Sequence, residues 1–292
     1  MPKLIVLVAP PGAGKSTLAN KLKEEGFIRI SQDVDGKNHL NIFNQAILDK
    51  KDICVDRMSF DKNQRARYLK PAKELGYNTK LIVLHENRET CLKRIVNRNG
   101  HETINFGDSV TANNALDTFF TKYERPEPGE ADEIEFRYPK LGMELNAIII
   151  DIDGTAAEIS HRLHHVKKPE GQKKDWKNFL KDFHKDGVNE WCRDIVNSMS
   201  EKNIIVFCSG RSDNHRKETQ AWLNDNKFHN DHLFMRHRAD HRQDYVVKEI
   251  LLDFEILTRF KNIKFAIDDR DQVVQLWRKR GITCLQCQDG DF

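Results

Sequence analysis

An apolar run from Lys3 to Ala9 leads into Pro10-Pro11-Gly12-Ala13-Gly14-Lys15-Ser16-Thr17, and a helical pattern then continues to Glu25. This order of strand, glycine loop and helix is typical of a P-loop, in which backbone N–H groups surround the phosphates of a nucleotide. Ala9 stands where the usual pattern has its first glycine, and a chance glycine turn is the alternative interpretation. The loop predicts a site for ATP and Mg²⁺, with Ser16 as the metal ligand, formed by these residues: Gly12, Gly14, Lys15, Ser16 and Thr17.

A second motif, Asp151-Ile152-Asp153-Gly154-Thr155, follows the apolar run Ile148-Ile149-Ile150. At the end of a buried strand, the first aspartate can attack phosphorus and form an acyl phosphate. The second can protonate the leaving oxygen and later activate water. This pattern predicts Asp151 as the nucleophile and Asp153 as the acid/base of a phosphatase.

Three further elements follow this motif in order. Ser209-Gly210-Arg211 comes after a predicted strand and can hold phosphate oxygens. Lys248 can balance the charge of the nucleophile and the phosphate, and Asp268-Asp269 closes another predicted strand. Carboxylate oxygens suit Mg²⁺, so we predict a second magnesium site at Asp151, Asp153, Asp268 and Asp269.

Strand-like and helical segments alternate along the chain, which predicts parallel sheets covered by helices. Residues 126–144 lose this pattern in a stretch rich in Pro, Gly and Glu. We therefore predict an α/β protein with two doubly wound parallel-sheet domains. These are a P-loop kinase domain over residues 1–125, a linker over 126–144, and a HAD-like phosphatase domain over 145–292.

A kinase needs a base for the attacking hydroxyl, and strand ends are the usual source. Asp33 lies just past the second predicted strand, with Asp35 as its rival, and Asp56 ends the next strand. Arg94 and Arg98 are predicted one turn apart on a helix that leads into a glycine loop, so Arg98 is the expected lid arginine. A solvated helix face is the alternative for both arginines.

Two basic runs flank the phosphatase elements, His161-Arg162-Leu163-His164-His165 and Met235 to Arg242. We interpret them as walls for a phosphorylated end, with zinc binding as the weaker alternative because no cysteine or carboxylate completes a tetrahedral set.

Composition adds few constraints. The formal net charge of +3 over 292 residues does not by itself indicate nucleic-acid binding. No apolar run reaches the length of a membrane span, so we expect a cytoplasmic protein without a membrane partner. The six cysteines are expected to be buried thiols, and Cys284-Leu285-Gln286-Cys287 is a lone CxxC for which metal or redox use is the weaker reading.

At these motifs the chain resembles the bifunctional polynucleotide 5′-kinase/3′-phosphatases of T-even phages, in the same order of domains. The matching stretches include Asp151 to Thr155, Ser209 to Arg211, Val246 to Glu249, Lys264 to Arg270 and the terminal Gly290-Asp291-Phe292. The resemblance implies that Arg162, Arg211, Arg236 and Asp244 surround the 3′-phosphate, and it suggests a homo-oligomer. In the first half, Val55-Asp56-Arg57 looks more like the kinase modules of bacterial end-healing enzymes, and Gly36-Lys37 replaces a substrate-binding arginine of the phage pattern.

The leading hypothesis is an end-healing repair enzyme. It would transfer the ATP γ-phosphate to 5′-hydroxyl ends of RNA or DNA and remove a 3′-phosphate or a 2′,3′-cyclic phosphate, which implies coupling to a ligase. A small-molecule kinase fused to a nucleotidase is the main alternative. A non-catalytic, nucleotide-gated binding module is a third, and it leaves the complete set of aspartates without a role.

Overall fold

The computed structural model describes residues 1–98, 106–141, 146–169 and 171–290. The chain divides into two compact units, Met1–Lys140 and Leu141–Phe292. Each unit contains a five-stranded parallel sheet with helices between its strands, so the predicted pair of doubly wound α/β folds is confirmed. In the described ranges, no helix has both the length and the apolar character that crossing a membrane requires.

The sheet of the first unit has the order β2-β3-β1-β4-β5. Its strands are β1 (Lys3–Val8), β2 (Ile28–Ser31), β3 (Ile53–Asp56), β4 (Asn78–Leu84) and β5 (Glu133–Arg137). Its helices are α1 (Lys15–Glu24), α2 (Gln32–Asp35), α3 (His39–Leu48), α4 (Lys62–Glu74), α5 (Arg88–Val96) and α6 (Ser109–Lys122). The central strand β1 is buried from Leu4 to Val8, as expected for an apolar strand covered on both faces, and its carboxyl end leads into the glycine loop.

Strand β5 lies inside the stretch that the sequence predicted as a linker. It pairs in parallel with β4 from Glu133 to Arg137, so this part of the prediction is wrong. The charged residues of this segment suggest a linker, but they alternate with Ile134 and Phe136, and this alternation is typical of an edge strand. On the neighbouring strand, Lys80 lies 2.6 Å from Glu133 and 2.8 Å from Glu135, which pairs these edge charges. The remaining domain bounds stay a proposal.

The sheet of the second unit has the order β10-β9-β6-β11-β12, and a two-stranded antiparallel sheet joins β7 and β8. The strands are β6 (Asn146–Ile150), β7 (Ala157–Glu158), β8 (Gly187–Val188), β9 (Ile204–Ser212), β10 (His232–Arg236), β11 (Asn262–Asp268) and β12 (Cys284–Gln286). The helices are α7 (Ser160–Leu163), α8 (Trp176–Lys181), α9 (Glu190–Met199), α10 (Arg216–Asp225), α11 (Asp244–Leu251) and α12 (Asp271–Lys279), and a π-helical turn, Leu252–Ile256, follows α11.

Strand β6 is the centre of this second sheet, and its apolar run contributes to both sides. Ile148 and Ile150 pack in the core on one face, and Ile149 packs in the core on the other. Its neighbours are β9 and β11, whose carboxyl ends carry the predicted phosphatase elements Ser209-Gly210-Arg211 and Asp268-Asp269. Because parallel strands end at the same edge, this order brings the three motifs together.

A buried ion pair ties α4 to the segment that follows α6. Arg65 is fully buried, and its guanidinium donates to Glu130 at 2.7 and 2.9 Å and to the carbonyl oxygen of Glu124 at 2.9 Å. Removing one partner leaves an uncompensated buried charge, which typically costs about 3–5 kcal/mol.

We predict that Arg65→Ala lowers the free energy of unfolding of the first unit by about 3–5 kcal/mol. Arg67, two residues away on the same helix, is exposed and serves as the matched control, where Ala should change stability by less than about 0.5 kcal/mol. Urea unfolding of the full chain, monitored through hydrogen exchange in peptides from β1 and β4, measures the free energy of unfolding of both variants. Equal effects of the two substitutions would contradict this role for Arg65.

Candidate active sites

The aspartate motif of the second unit forms a tight turn at the end of β6. Asp151 is buried directly after the strand. Gly154 has φ +89°, and a Cβ there would collide with the carboxylate of Asp269. Glycine is therefore required at this position, because the turn needs both a left-handed conformation and close approach to the neighbouring acid.

Lys248 places one buried ammonium group among the carboxylates. It is fully buried on α11, and its Nζ donates to Asp151 at 2.6 Å and to Asp268 at 2.8 Å, with Asp244 at 3.6 Å. Burial acts to lower the pKa of Lys248, but the three carboxylates outweigh it and raise the pKa well above its usual value. The lysine therefore stays charged and holds Asp151, the predicted nucleophile, in place.

Asp151, Asp268 and Asp269 could hold a metal ion, because one ligand atom from each lies within 4.8 Å of the others. Both carboxylate oxygens of Asp269 are buried, and neither has a hydrogen-bond partner among the residues that the structure describes. Burial and the charge of Asp268 raise the pKa of Asp269 to about 7. Crowded, unsatisfied carboxylates fit a hard cation such as Mg²⁺.

The carboxylate of Asp153 does not belong to this group and instead faces two arginines. Arg211 donates to it from Nε at 2.9 Å and from Nη2 at 2.6 Å, and Arg162 donates through Nη2. Burial acts to raise the pKa of Asp153, but Arg211 and Arg162 outweigh it and hold the pKa well below its usual value. The expected metal-ligand role does not fit this side-chain position.

Both arginines also contact Asp186, a residue that the sequence reasoning missed. Asp186 is buried just before β8 and accepts hydrogen bonds from Arg162 Nε at 2.6 Å and Arg211 Nη2 at 3.0 Å. Phe179 and Phe183 pack against the guanidinium groups, with the Arg162 and Arg211 Cζ atoms 4.1 and 4.4 Å from the respective ring centroids. The Asp-Gly turn at 186–187 gave no signal of this role, because it reads as an ordinary loop.

The Ser209-Gly210-Arg211 segment lies in β9, beside the nucleophile strand. The backbone N–H of Arg211 donates to Ser209 Oγ at 3.1 Å. A Cβ at Gly210 would collide with the carboxylate of Asp244, so glycine is again required. Arg236 donates to the Gly210 carbonyl at 2.7 Å and to Asp244 at 3.2 Å, which joins the residues expected around the phosphate.

A cleft of about 810 Å³ lies over Asp151 and Asp153. Its walls carry many cationic side chains, including Lys174, Lys177, Arg236, Arg238, Arg242 and Arg270. The basic walls expected from the two runs are therefore partly formed by other residues, because Lys174, Lys177 and Arg270 lie outside those runs. The three histidines at positions 161, 164 and 165 do not line the cleft.

In the first unit, the glycine loop has the backbone that a P-loop needs. Gly12 has φ +81°, and a Cβ there would come within 2.6 Å of the Cys91 carbonyl oxygen. Gly14 has φ +93° and directly precedes α1, whose first turn contains Ser16 and Thr17. The start of a ten-residue helix after a glycine loop is a favourable place for phosphate.

The Lys15 ammonium folds back on its own loop and donates to the carbonyl oxygens of Ala9 and Pro10 at 3.1 and 2.8 Å. Burial lowers the pKa of Lys15, while the nearby charges of Asp56 and Asp33 act against this shift. The charges of these two carboxylates therefore reach Lys15.

The two rival bases have different surroundings. Asp33 is exposed on α2, whereas Asp35 accepts a hydrogen bond from the backbone N–H of Ser31 at 2.8 Å. Asp56 is buried and pairs with Arg29 at 2.6 Å. Asp33 is therefore more available to a substrate hydroxyl than either of the other two.

The helix carrying the predicted lid arginines is shorter than expected. It ends at Val96, so Arg94 lies in its last turn and Arg98 lies beyond it, which makes the predicted shared helix face wrong. Arg94 pairs with Glu86 at 2.9 Å, and exposed Arg98 is close enough to act on the pKa of Lys15. The glycine loop predicted to follow, with Gly100, lies outside the described residues.

Comparison with known protein families assigns the second unit to a family. The family model described as the polynucleotide kinase PNKP phosphatase domain matches residues 145–292. The chain belongs to this family. The second unit is thus a phosphatase domain of the kind found in polynucleotide kinases, which are end-healing enzymes of nucleic-acid repair, and the alternative of a metabolite kinase fused to a nucleotidase is not favoured.

Two solved structures illustrate the wider similarity. A chain in the structure of the Pnkp1/Rnl/Hen1 RNA repair complex is 20% identical, with 100% of this chain and 97% of that chain covered and a TM-score of 0.44. The Mycobacterium tuberculosis APS kinase CysC, solved with AMPPNP and APS, is 18% identical over 48% of this chain and 90% of its own, with a TM-score of 0.36. Similarities at these levels are too distant to indicate a function.

We predict that Asp186→Ala disrupts the phosphatase site of this enzyme, because it leaves two buried guanidinium groups with Asp153 as their remaining shared carboxylate. The expected result is a loss of about tenfold or more in 3′-phosphatase kcat and a stability loss of about 3–5 kcal/mol in the second unit. Asp182→Ala is the matched control, since Asp182 pairs with Lys185 on the surface. Steady-state kinetics and urea unfolding measure these effects, and an unimpaired Asp186→Ala phosphatase would refute the assignment.

Proposed function

We propose that the second unit removes the 3′-phosphate of a polynucleotide through an aspartyl-phosphate on Asp151, and that the first unit transfers the γ-phosphate of ATP to a 5′-hydroxyl end. The observation that carries this proposal is the buried Lys248, whose ammonium donates to Asp268 and to Asp151, a residue that lines the basic cleft. The P-loop of the first unit supports the proposed kinase activity.

In the phosphatase reaction, a carboxylate oxygen of Asp151 attacks phosphorus, and the bond between phosphorus and the 3′-oxygen breaks. When the entering phosphate takes Arg162 and Arg211 from Asp153, this carboxylate can accept a proton from solvent. Asp153 then gives that proton to the leaving 3′-oxygen and later takes one from the water that hydrolyses the acyl phosphate. Ser209 and Gly210 hold the phosphate oxygens, and Lys248 balances the negative charge. Magnesium at Asp151, Asp268 and Asp269 would neutralise charge on the transferred phosphoryl group.

Arg162 and Arg211 can exchange one of their partners during this reaction. Without substrate they pair with Asp153 and Asp186. An entering phosphate offers them anionic oxygens and competes with Asp153, whereas Asp186 continues to hold both guanidinium groups at the site. Arg236, tied to Gly210 and Asp244, completes the cationic surround.

In the kinase reaction, Lys15 contacts the transferred phosphoryl group, and Asp33 accepts the proton of the attacking 5′-hydroxyl. Gly12, Gly14 and Thr17 surround the donor phosphates, and Ser16 would hold the magnesium ion that shields them. Arg98 supplies positive charge as the phosphoryl group moves. Its exposed position and its effect on the pKa of Lys15 support such a role.

Several finer points belong to the same proposal. The order of the two units and the matching stretches support a relationship to the T-even phage enzymes, although Asp291 and Phe292 lie outside the described residues. The products, 5′-phosphate and 3′-hydroxyl ends, are those that an RNA or DNA ligase requires, so a ligase is the proposed functional partner. We also propose opening of 2′,3′-cyclic phosphates, a homo-oligomer and a cytoplasmic location.

We predict that Lys15→Ala abolishes phosphate transfer from labelled ATP to a 5′-hydroxyl oligonucleotide but leaves release of 3′-phosphate close to the unmodified rate. Lys15 touches the donor triphosphate and takes no part in the aspartate chemistry. Free nucleosides, tested as acceptors with the same labelled ATP, should be poor substrates. Parallel loss of both activities in a folded protein would refute two separate sites.

The choice between the two bases gives a second test. Asp33→Asn should lower kinase kcat by about 10²–10⁴, since an amide cannot accept the hydroxyl proton. Asp35→Asn should have a much smaller effect, because the amide oxygen can still accept the Ser31 hydrogen bond. An active Asp33→Asn enzyme beside an inactive Asp35→Asn enzyme would reverse the assignment.

The two phosphatase aspartates should respond differently to substitution. Asp151→Asn should eliminate hydrolysis of every phosphate ester, since an amide cannot form the acyl phosphate. Asp153→Asn should lower kcat by about 10²–10⁴ on a 3′-phosphorylated oligonucleotide, whose poor leaving group needs a proton, and far less on 4-nitrophenyl phosphate. Kinase activity is the internal control for both. Equal losses on the two substrates would argue against a leaving-group role for Asp153.

A further inference from the structure

The cleft above Asp151 is much larger than the site of a phosphate group. A phosphate group alone would fill a small part of the cleft, whose volume of about 810 Å³ lies in the range that holds a whole organic ligand. The remaining volume extends along a wall formed by Lys174, Trp176 and Lys177. This wall has no part in the phosphate chemistry described above.

Trp176 is the unusual residue of this wall, because a large aromatic residue lines a cleft rich in cationic side chains and remains 42% exposed. The position of the Trp176 ring is fixed by the residues that pack against it. Phe179, one turn later in α8, contacts it edge-to-face with ring centroids 5.8 Å apart and packs in turn on the guanidinium of Arg162. The guanidinium of Arg270 lies 5.8 Å from the Trp176 ring centroid. The exposed ring is thereby held in a fixed relation to the arginine that contacts Asp153.

Cations without acidic partners accompany the ring. Lys174 and Lys177 flank Trp176, Arg238 lies on the cleft wall as well, and none of the three forms an ion pair with another of the residues placed in the structure. Proteins that bind single-stranded nucleic acid combine such free cations, which contact backbone phosphates, with aromatic rings on which bases stack. Stacking needs no particular base, since every base has a π-face.

We propose that Trp176 is a stacking platform for a base next to the 3′-phosphate, with Lys174 and Lys177 contacting the backbone phosphates of the same single strand. This subsite rests on the proposed 3′-phosphatase function and adds to it a recognition of the terminal nucleotides. The phosphatase then selects the 3′-phosphate of a polynucleotide over other phosphate esters by binding the last bases, in addition to the phosphate.

The test compares two oligonucleotides with 3′-phosphates, one intact and one in which the last two nucleotides are abasic. The unmodified enzyme should show a higher kcat/KM on the intact strand, by about tenfold or more, with the difference in KM. Trp176→Ala should bring this ratio close to one, and Trp176→Phe should restore it. Trp191→Ala is the matched control, because Trp191 is equally exposed at 42% but lies on α9, away from the cleft.

Trp176→Leu separates stacking from packing, since leucine can fill the space above Phe179 but offers no flat ring. A leucine variant with the low ratio of the alanine variant supports stacking, and one with the ratio of the unmodified enzyme overturns it. An unchanged ratio in Trp176→Ala would overturn the inference and leave the proposed function intact. Failure of the unmodified enzyme to release phosphate from either oligonucleotide would overturn both.

Discussion

The buried ammonium of Lys248 is the interaction on which the phosphatase site depends. The order of strands β9, β6 and β11 brings the carboxylates of Asp151, Asp268 and Asp269 to one sheet edge, where their mutual repulsion opposes folding. Lys248, on α11, lies between Asp151 and Asp268. Its ammonium group replaces part of the hydration that these two carboxylates lose on burial. The same helix begins at Asp244, one turn earlier, and this aspartate binds Arg236 and lies against Gly210. One turn of α11 therefore fixes both the nucleophile and the phosphate loop.

Two neighbouring aspartates acquire opposite properties from these surroundings. Burial raises the pKa of Asp151, and Asp268 and Asp269 add to this effect against the charge of Lys248. Asp153, two residues later, faces Arg211 and Arg162, which keep its pKa low. A nucleophile must be ionised and an acid/base must be able to hold a proton, so the proposed division of roles requires that bound phosphate and magnesium reverse both of these shifts. The division is set by which side of the turn each residue faces, and the glycine at position 154 is what allows that turn.

Much of this arrangement could be predicted from the sequence, because the motifs directly follow apolar runs whose strand character is clear. The parts that could not be predicted depend on pairing across the fold. Asp186 follows no strand and belongs to no motif, so its contact with two buried arginines emerges when α7 and β9 are placed together. Strand β5 was hidden because an edge strand carries charges that also suit a linker. The side chain of Asp153 could equally have faced a metal or the arginines, and spacing in the chain does not distinguish these.

The two sites are built differently, and the chemistry each must perform explains why. A nucleoside triphosphate brings many phosphate oxygens, so a glycine loop and the start of α1 can bind it through backbone N–H groups, and the residues around it can remain exposed, as Asp33 and Arg98 do. The phosphatase must instead bring an anionic ester against an anionic nucleophile. Water would screen the cations needed to overcome that repulsion, so they are buried and held by fixed partners: Lys248 by Asp151 and Asp268, and the arginines by Asp186. Preorganised charge of this kind is costly to fold, but it limits the rearrangement when the phosphate arrives, because the arginines exchange Asp153 for phosphate oxygens while Asp186 still holds them.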